Sequence, residues 1–282
     1  MNETKHQTVR VVLVVGGLAM FGLAALFCFD QERAKQLWLW WDSPLSLYFV
    51  AAMQAAIGAA MLWIGLSGEL AALAAGALNL VVMMAGSALT LFWIAGLDLS
   101  SPIFYYAVGC ALFALFNGWL FVWARRIPLR DSLPLPPLIR YSYMLFVAAL
   151  AGLGIALLTT DWKILPWGFG EENADTPRIL GWMFFGDAFY FLYALLYPRW
   201  RNACAQLCSF LAYDLVLLGP FLMRWPLIRE WFGHLPRLPD DLLPNLVLYT
   251  FVLLYSGALG VYFLFINPQT RLVARAQRSH RD

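Results

Sequence analysis

The sequence contains few charged residues. Only 13% of its 282 residues are charged, whereas 62% are hydrophobic, and a soluble globular protein has about 45–50% apolar residues. This composition excludes a water-soluble domain and predicts a multi-pass membrane protein surrounded by the lipid bilayer. The formal net charge is +2, and the basic residues stand singly or in small groups. We therefore expect no nucleic-acid partner.

Histidines and catalytic motifs are also scarce. The three histidines, His6, His234 and His280, lie outside the apolar segments, which argues against histidine-ligated haem or a histidine-rich metal centre. The sequence has no G-x-S-x-G, no H-E-x-x-H and no phosphate-binding glycine loop. Its four cysteines form no CxxC pair and are interpreted as small apolar residues. We expect no cofactor and no metal, and the sequence leaves an enzymatic role open without favouring one.

Long apolar runs make up most of the chain. Each run is long enough to cross roughly 30 Å of hydrocarbon as a helix. The sequence therefore predicts an all-α fold, a bundle of about eight transmembrane helices. The predicted spans cover residues 11–29, 46–67, 71–95, 103–124, 141–159, 179–197, 203–223 and 243–266.

The positions of the basic residues predict the orientation of the bundle. If both termini are cytoplasmic, most of the 19 lysines and arginines lie on the cytoplasmic side, as the positive-inside rule requires. This bias favours the plasma (inner) membrane of a bacterium. The basic tail, 271–282, is expected to rest on anionic headgroups.

Three connections on the opposite side have unusual compositions. Residues 31–41 and 226–235 mix tryptophans with charges at helical spacing, which is typical of short helices in the headgroup layer or of an aromatic belt. Residues 161–177 are rich in glycine, proline and acids and predict an irregular loop. Its acids Glu171, Glu172 and Asp175 offer oxygen ligands to a hard cation, but a solvated loop is the favoured interpretation.

Similar short segments in the two halves indicate an internal repeat. Asp42-Ser43-Pro44 resembles Asp175-Thr176-Pro177, Asn79-Leu80-Val81-Val82 resembles Asp214-Leu215-Val216-Leu217, and Phe116-Asn117-Gly118 resembles Tyr255-Ser256-Gly257, all in the same order. We predict two four-helix repeats, 1–126 and 139–270, joined by a proline-rich cytoplasmic connector, 127–138. An even number of spans makes the repeat parallel, with a pseudo-two-fold axis along the membrane normal. Gln54 and Asn79 then occupy the positions that Asp187 and Asp214 hold in the second repeat.

Asp187 and Asp214 are the main candidate site. Each lies well inside an apolar span, where an ionisable side chain is costly, and antiparallel neighbouring helices would hold both carboxyls at similar depth. Two close carboxyls cannot both ionise easily, so the pair can load and release protons or bind a cation, with Tyr190, Gln54 and Asn79 as further polar groups. In the alternative interpretation, each aspartate is protonated or paired with Asn, Ser or Tyr and only joins neighbouring helices.

Three classes of function follow from these patterns. The favoured one is a structural or accessory subunit of a membrane assembly, which contacts membrane-protein partners through helix faces. The second is a proton- or cation-coupled transporter or small-ligand-binding bundle that uses Asp187 and Asp214. The third is a membrane-embedded enzyme that acts on a lipid or isoprenoid with the same aspartates as acid and base.

Overall fold

The computed structural model describes residues 3–38, 44–96, 98–130, 133–159, 165, 175–225 and 240–272. Nine α-helices lie within these residues: α1 (Glu3–Phe29), α2 (Gln31–Leu37), α3 (Pro44–Ser67), α4 (Leu73–Ala95), α5 (Pro102–Ala124), α6 (Pro137–Thr159), α7 (Thr176–Leu196), α8 (Trp200–Leu222) and α9 (Leu243–Val261). All but the short α2 are long and apolar enough to span a membrane. The prediction of an all-α protein with eight candidate spans is confirmed.

Most helices begin earlier than the apolar runs predicted. In α5 and α7 a proline occupies the first turn, where its missing N–H costs no hydrogen bond. Ser101 precedes α5, and its side chain accepts a hydrogen bond from the N–H of Ile103 at 3.3 Å. Hydropathy misses such polar or proline-containing first turns because their residues are not apolar.

The outer connections are described only in part. Residues 31–37 form the helix α2, so part of the first connection is helical as predicted, whereas its place in the headgroup layer stays a prediction. The Asp30 side chain begins this helix by accepting a hydrogen bond from the N–H of Arg33 at 3.2 Å. The predicted helix at 226–235, nearly all of the loop at 161–174 and the tail after residue 272 lie outside the described residues.

The helices group into two compact units. Unit 1 comprises Met1–Gly68, Leu165–Gly168 and Cys204–Asp282, and unit 2 comprises Glu69–Ile164 and Phe169–Ala203. Unit 1 therefore contains α1, α2, α3, most of α8 and α9, whereas unit 2 contains α4 to α7. Each unit takes two spans from each predicted repeat. The repeat and the orientation of the termini stay predictions.

In unit 1, glycines bring α1 and α3 into close antiparallel contact. A Cβ atom on Gly17 would lie 2.9 Å from the carbonyl oxygen of Gly58, and one on Gly65 would lie 2.9 Å from that of Arg10. The Arg10 guanidinium donates to the carbonyls of Gly65 and Leu66 at 2.9 and 3.0 Å. Small residues thus let the two backbones approach, and an arginine satisfies carbonyls at the end of α3.

In unit 2, α7 packs against both α6 and α4. Gly154 of α6 and Gly181 of α7 form the first contact, because a Cβ on Gly154 would lie 2.9 Å from the Gly181 carbonyl oxygen. On α4, Gly86 lies directly under the indole of Trp182. The Trp182 Nε1–H donates to the Thr90 hydroxyl at 2.9 Å. This contact between α4 and α7, which we call the α4–α7 seam, continues along both helices and positions the candidate site.

The predicted connector is tied to the turn between α7 and α8. The N–H of Leu135 donates to the Pro198 carbonyl at 3.0 Å, and the N–H of Trp200 donates to the Leu133 carbonyl at 2.9 Å. Residues 137 and 138 already belong to α6, so the connector is slightly shorter than predicted. This backbone pairing fixes one end of α6 and of α7 within unit 2.

Candidate functional site

The α4–α7 seam contains the first of the two aspartates. Asp187 of α7 accepts a hydrogen bond at Oδ1 from the Nδ2 of Asn79 on α4, at 2.7 Å. Asn79 is only 8% exposed. Gly186 makes room for this amide, because a Cβ there would lie 2.6 Å from the Asn79 Oδ1. The structure thus brings together two of the five predicted site residues.

Tyr190 lies one turn further along the same seam. Its side chain is 7% exposed, and its ring lies 4.0 Å from the position of a Cβ on Gly76. Gly76 precedes Asn79 by nearly one turn of α4, so Tyr190 covers the side of the Asn79–Asp187 pair that faces the start of α4. Asn79, Asp187 and Tyr190 therefore all lie in the α4–α7 seam of unit 2, and the hydrogen bond joins the first two.

The second aspartate lies in unit 1 with a different partner. Asp214 is 3% exposed, and its Oδ1 accepts a hydrogen bond from the Ser256 hydroxyl of α9 at 3.0 Å. Its Oδ2 is buried without a hydrogen-bond partner. Gly257 packs against it, since a Cβ there would lie 3.5 Å from this oxygen. One carboxyl oxygen of Asp214 is thus satisfied and the other is not.

Gln54, the remaining predicted site residue, lies on α3 of unit 1. The residue is half-buried, and its Oε1 is buried without a hydrogen-bond partner. Since Asp187 and Asp214 belong to different units, their predicted proximity stays a prediction. The hydrogen bonds to Asn79 and Ser256 nevertheless match the interpretation in which each aspartate joins neighbouring helices.

Two polar residues of the structure were not predicted as site residues. Ser256 was noted only for its place in the repeat, yet it bonds Asp214. Glu69 is 1% exposed, with Oε2 3.8 Å from the Arg201 Nε and Oε1 accepting from the N–H of Arg130 at 3.4 Å. Its sequence signal is a lone acid between two apolar runs, directly after Gly68, which has a positive φ of 71°.

Comparisons with known proteins do not assign a function to this arrangement. The chain matches no protein-family model, and no curated protein or solved structure is similar to it at a significant level. Within the described ranges, no three His, Cys, Asp or Glu side chains are grouped closely enough to hold a metal ion.

We expect the Asn79–Asp187 hydrogen bond to stabilise the α4–α7 seam. Replacing Asp187 by leucine leaves the buried amide without its acceptor and should lower the free energy of unfolding by about 1–2 kcal/mol. Asp187→Asn keeps an acceptor oxygen and should cost less than about 0.5 kcal/mol. Reversible unfolding in mixed detergent micelles measures both values.

A double-mutant cycle with Asn79→Leu tests whether the two side chains act as a pair. The coupling free energy should be about 1 kcal/mol, as for interhelical hydrogen bonds in membranes. If Asp187→Asn were as damaging as Asp187→Leu, the negative charge of Asp187 and not its hydrogen bond would be the stabilising feature.

Proposed function

We propose that the protein is a structural or accessory subunit of a membrane assembly, and that its helix α5 binds a transmembrane helix of a partner protein. The observation that carries this proposal is the aromatic outer face of α5. Only four of its residues are buried: Ala107, Ala114, Asn117 and Ala124. The other side of the helix presents a row of aromatic rings and, beside it, a groove.

The aromatic row is ordered by ring contacts along α5. The centroids of Phe113 and Phe116 are 6.2 Å apart, those of Phe116 and Trp119 5.9 Å, and those of Trp119 and Trp123 6.4 Å. Phe116 and Trp119 are 52% and 61% exposed. Rigid aromatic side chains supply a large contact area at a low cost in conformational entropy, and aromatic residues are enriched in protein interfaces.

The groove lies between α4 and α5, next to this row. Its volume is about 620 Å³, and its walls include Met84, Tyr105, Tyr106 and Phe113. Gly109 lies between these walls, and a Cβ there would have no atom within 4 Å. A glycine on an exposed helix face lets a second helix backbone approach closely.

The combination of row and groove favours a helix over a lipid chain. Gly109 and Phe113 are one helical turn apart. The depression at the glycine is therefore followed, one turn later, by a protruding side chain, and this spacing matches the side-chain rows of a partner helix. A lipid acyl chain adapts to any apolar surface and requires neither feature. The two hydrogen-bonded aspartates suit the same role, because they join helices within a stable scaffold.

Photocrosslinking combined with a glycine substitution tests this function. Benzoylphenylalanine in place of Phe116 should give one discrete adduct in native membranes, and Gly109→Leu should abolish it by filling the groove. The matched control is Gly152→Leu on α6, where a Cβ also has no atom within 4 Å, and it should leave the adduct unchanged. The same label in place of Phe251 on α9, which is 58% exposed, should give no discrete adduct.

Three results would contradict the proposal. The first is a diffuse pattern without a discrete adduct, which indicates contact with lipid only. The second is an adduct that survives Gly109→Leu, since the groove would then play no part in binding. The third is an adduct of twice the mass of the chain, which indicates contact with a second copy and not with a different protein.

A further inference from the structure

Helices α8 and α9 of unit 1 are in antiparallel contact. A Cβ atom on Gly260 of α9 would lie 3.5 Å from the carbonyl oxygen of Leu207 on α8. Further along α8, the ring centroid of Phe221 lies 5.4 Å from that of Tyr249, which comes earlier on α9. The buried aspartate of α8 and the serine of α9 that contacts it lie between these two levels. Contacts on both sides therefore define the register of this pair.

The Ser256 hydroxyl lies close to more acceptors than it can donate to. Its Oγ is 3.0 Å from Oδ1 of Asp214 and 2.8 Å from the carbonyl oxygen of Val252, one turn back along α9. A hydroxyl has one hydrogen to donate and two lone pairs that accept. The contact with Asp214 can therefore be made by a hydrogen atom of either residue. If the serine donates to the nearer acceptor, Val252, only a proton on the carboxyl group can fill the contact with Asp214.

The second carboxyl oxygen of Asp214 has no donor among the described residues. Oδ2 is buried without a hydrogen-bond partner, and a Cβ on the neighbouring Gly257 would lie 3.5 Å from it. The whole residue is 3% exposed. An ionised carboxylate would have one donor, Ser256, for two charged oxygens. Burying such a charge costs far more than burying a neutral acid, which leaves only one carbonyl oxygen unpaired.

Two helices that contact α8 beside Asp214, α9 and α3, provide no positive charge. Phe49 of α3 contacts Tyr213, with ring centroids 6.0 Å apart, and neither α3 nor α9 contains a lysine, an arginine or a histidine. The nearest basic residues along the chain, Arg201 and Arg224, lie about 20 and 15 Å away along the helix. The other titratable side chains on these three helices are phenols or thiols, namely Tyr48, Tyr213, Tyr249, Tyr255, Cys204 and Cys208. An ionised Asp214 would therefore lack a counter-charge from these helices.

We propose that Asp214 is a proton-binding site that joins α8 to α9 in its neutral form. The acid donates its proton to the Ser256 hydroxyl, and this hydroxyl donates its own hydrogen to the carbonyl oxygen of Val252. A proton taken up from water converts the carboxylate to the acid, and its release restores the carboxylate. The site goes beyond the proposed accessory function, because it makes the contact between two helices of unit 1 depend on a bound proton.

The other intramembrane aspartate has a different kind of partner and serves as a reference. The Nδ2 of Asn79 donates to Oδ1 of Asp187 at 2.7 Å. An amide N–H can only donate, so this hydrogen bond requires no proton on Asp187. Asp187 is also less buried than Asp214. Asp187→Asn is therefore the matched control for Asp214→Asn.

Infrared spectroscopy of the full chain in nanodiscs tests the protonation state. We expect the wild-type spectrum at neutral pH to contain the carbonyl band of a protonated carboxylic acid. Asp214→Asn should remove this band, whereas Asp187→Asn should leave it in place. Ser256→Ala should retain the band at a higher frequency, because the acid loses the acceptor of its proton.

The pH dependence of stability tests the link between the proton and the helix contact. The folded chain with a neutral Asp214 binds one more proton than the unfolded chain, in which the aspartate is ionised, so its stability should fall as the pH rises. Asp214→Asn should show a smaller fall, because the amide donates to Ser256 at any pH. Reversible unfolding in mixed detergent micelles at neutral and alkaline pH measures this difference.

Each alternative outcome overturns a defined part of the proposal. If the wild-type protein shows no such band, or if the band survives Asp214→Asn, Asp214 does not carry the proton. An unchanged band frequency in Ser256→Ala would show that the proton is not donated to Ser256, and this variant keeps the test valid even if Asp214→Asn fails to fold. Equal pH dependence of the wild type and Asp214→Asn would show that the proton does not stabilise the contact between α8 and α9. Since crosslinking through α5 is a separate readout, failure of this site and failure of the accessory function are distinguishable.

Discussion

Replacing Gly154 by leucine is expected to cause the largest loss of stability among substitutions on α6. A Cβ at this position would lie 2.8 Å from the backbone nitrogen of Phe185 and 2.9 Å from the carbonyl oxygen of Gly181. Both atoms belong to the backbone of α7, so no side-chain rotation relieves the clash and the helices must separate. We expect the free energy of unfolding to fall by about 3 kcal/mol, the upper end for overpacked sites.

Gly152→Leu is the matched control for this prediction. Gly152 lies two residues away on the same helix, is exposed, and has no atom within 4 Å of a Cβ. Both variants gain the same side chain and the same helix propensity, so the difference between their unfolding free energies isolates the contact with α7. Equal stabilities in reversible micellar unfolding would show that α6 and α7 do not pack through Gly154.

The second large effect is expected for the ion pair between Glu69 and Arg201 in unit 2, close to the turn between α7 and α8. The side chain of Glu69 is 2% exposed, and its carboxylate lies 3.8 Å from the Arg201 guanidinium, whose side chain is 19% exposed. Arg201→Ala removes positive charge from a buried carboxylate and should lower the free energy of unfolding by about 2–3 kcal/mol. This is less than for a fully buried pair, because water still reaches Arg201.

Two further variants identify the cause of that loss. Arg199→Ala removes an arginine from an exposed position in the same turn and should cost less than about 0.5 kcal/mol. Adding Glu69→Gln to Arg201→Ala removes the buried charge and should restore most of the lost stability. If the double variant were as unstable as Arg201→Ala alone, the packing of the arginine side chain and not its charge would be responsible.

The predicted spans agree with eight of the nine described helices because hydropathy depends only on local composition. A helix that crosses a bilayer must present apolar residues over its full length, and such a run of apolar residues is visible in the sequence. The ends of the helices were less predictable. α1 begins at Glu3 and α6 at Pro137, since polar residues and prolines form their first turns outside the apolar runs.

The partners of the buried polar groups were only partly predictable. The cost of an ionisable group in an apolar span singled out Asp187 and Asp214. The repeat placed Asn79 and Gln54 at related positions, but it did not show that Asn79 bonds Asp187. Ser256 and Glu69 gave weak signals, because a serine or a single loop acid has many possible roles.

The sequence by itself determined that this is a multi-span helical membrane protein, and which charges lie within its apolar spans. Only the tertiary structure decided which helices are neighbours. It showed that Asp187 bonds Asn79 and that Asp214 bonds Ser256. The sequence had left two interpretations open, a pair of close carboxyls or a separate Asn, Ser or Tyr partner for each aspartate, and the proximity of the two aspartates stays a prediction. The physical reason is that close contacts between small residues determine which helices are neighbours, as for Gly154 with Gly181 and Gly17 with Gly58. Such glycines are common in apolar segments, and their positions along the chain do not show which of them meet.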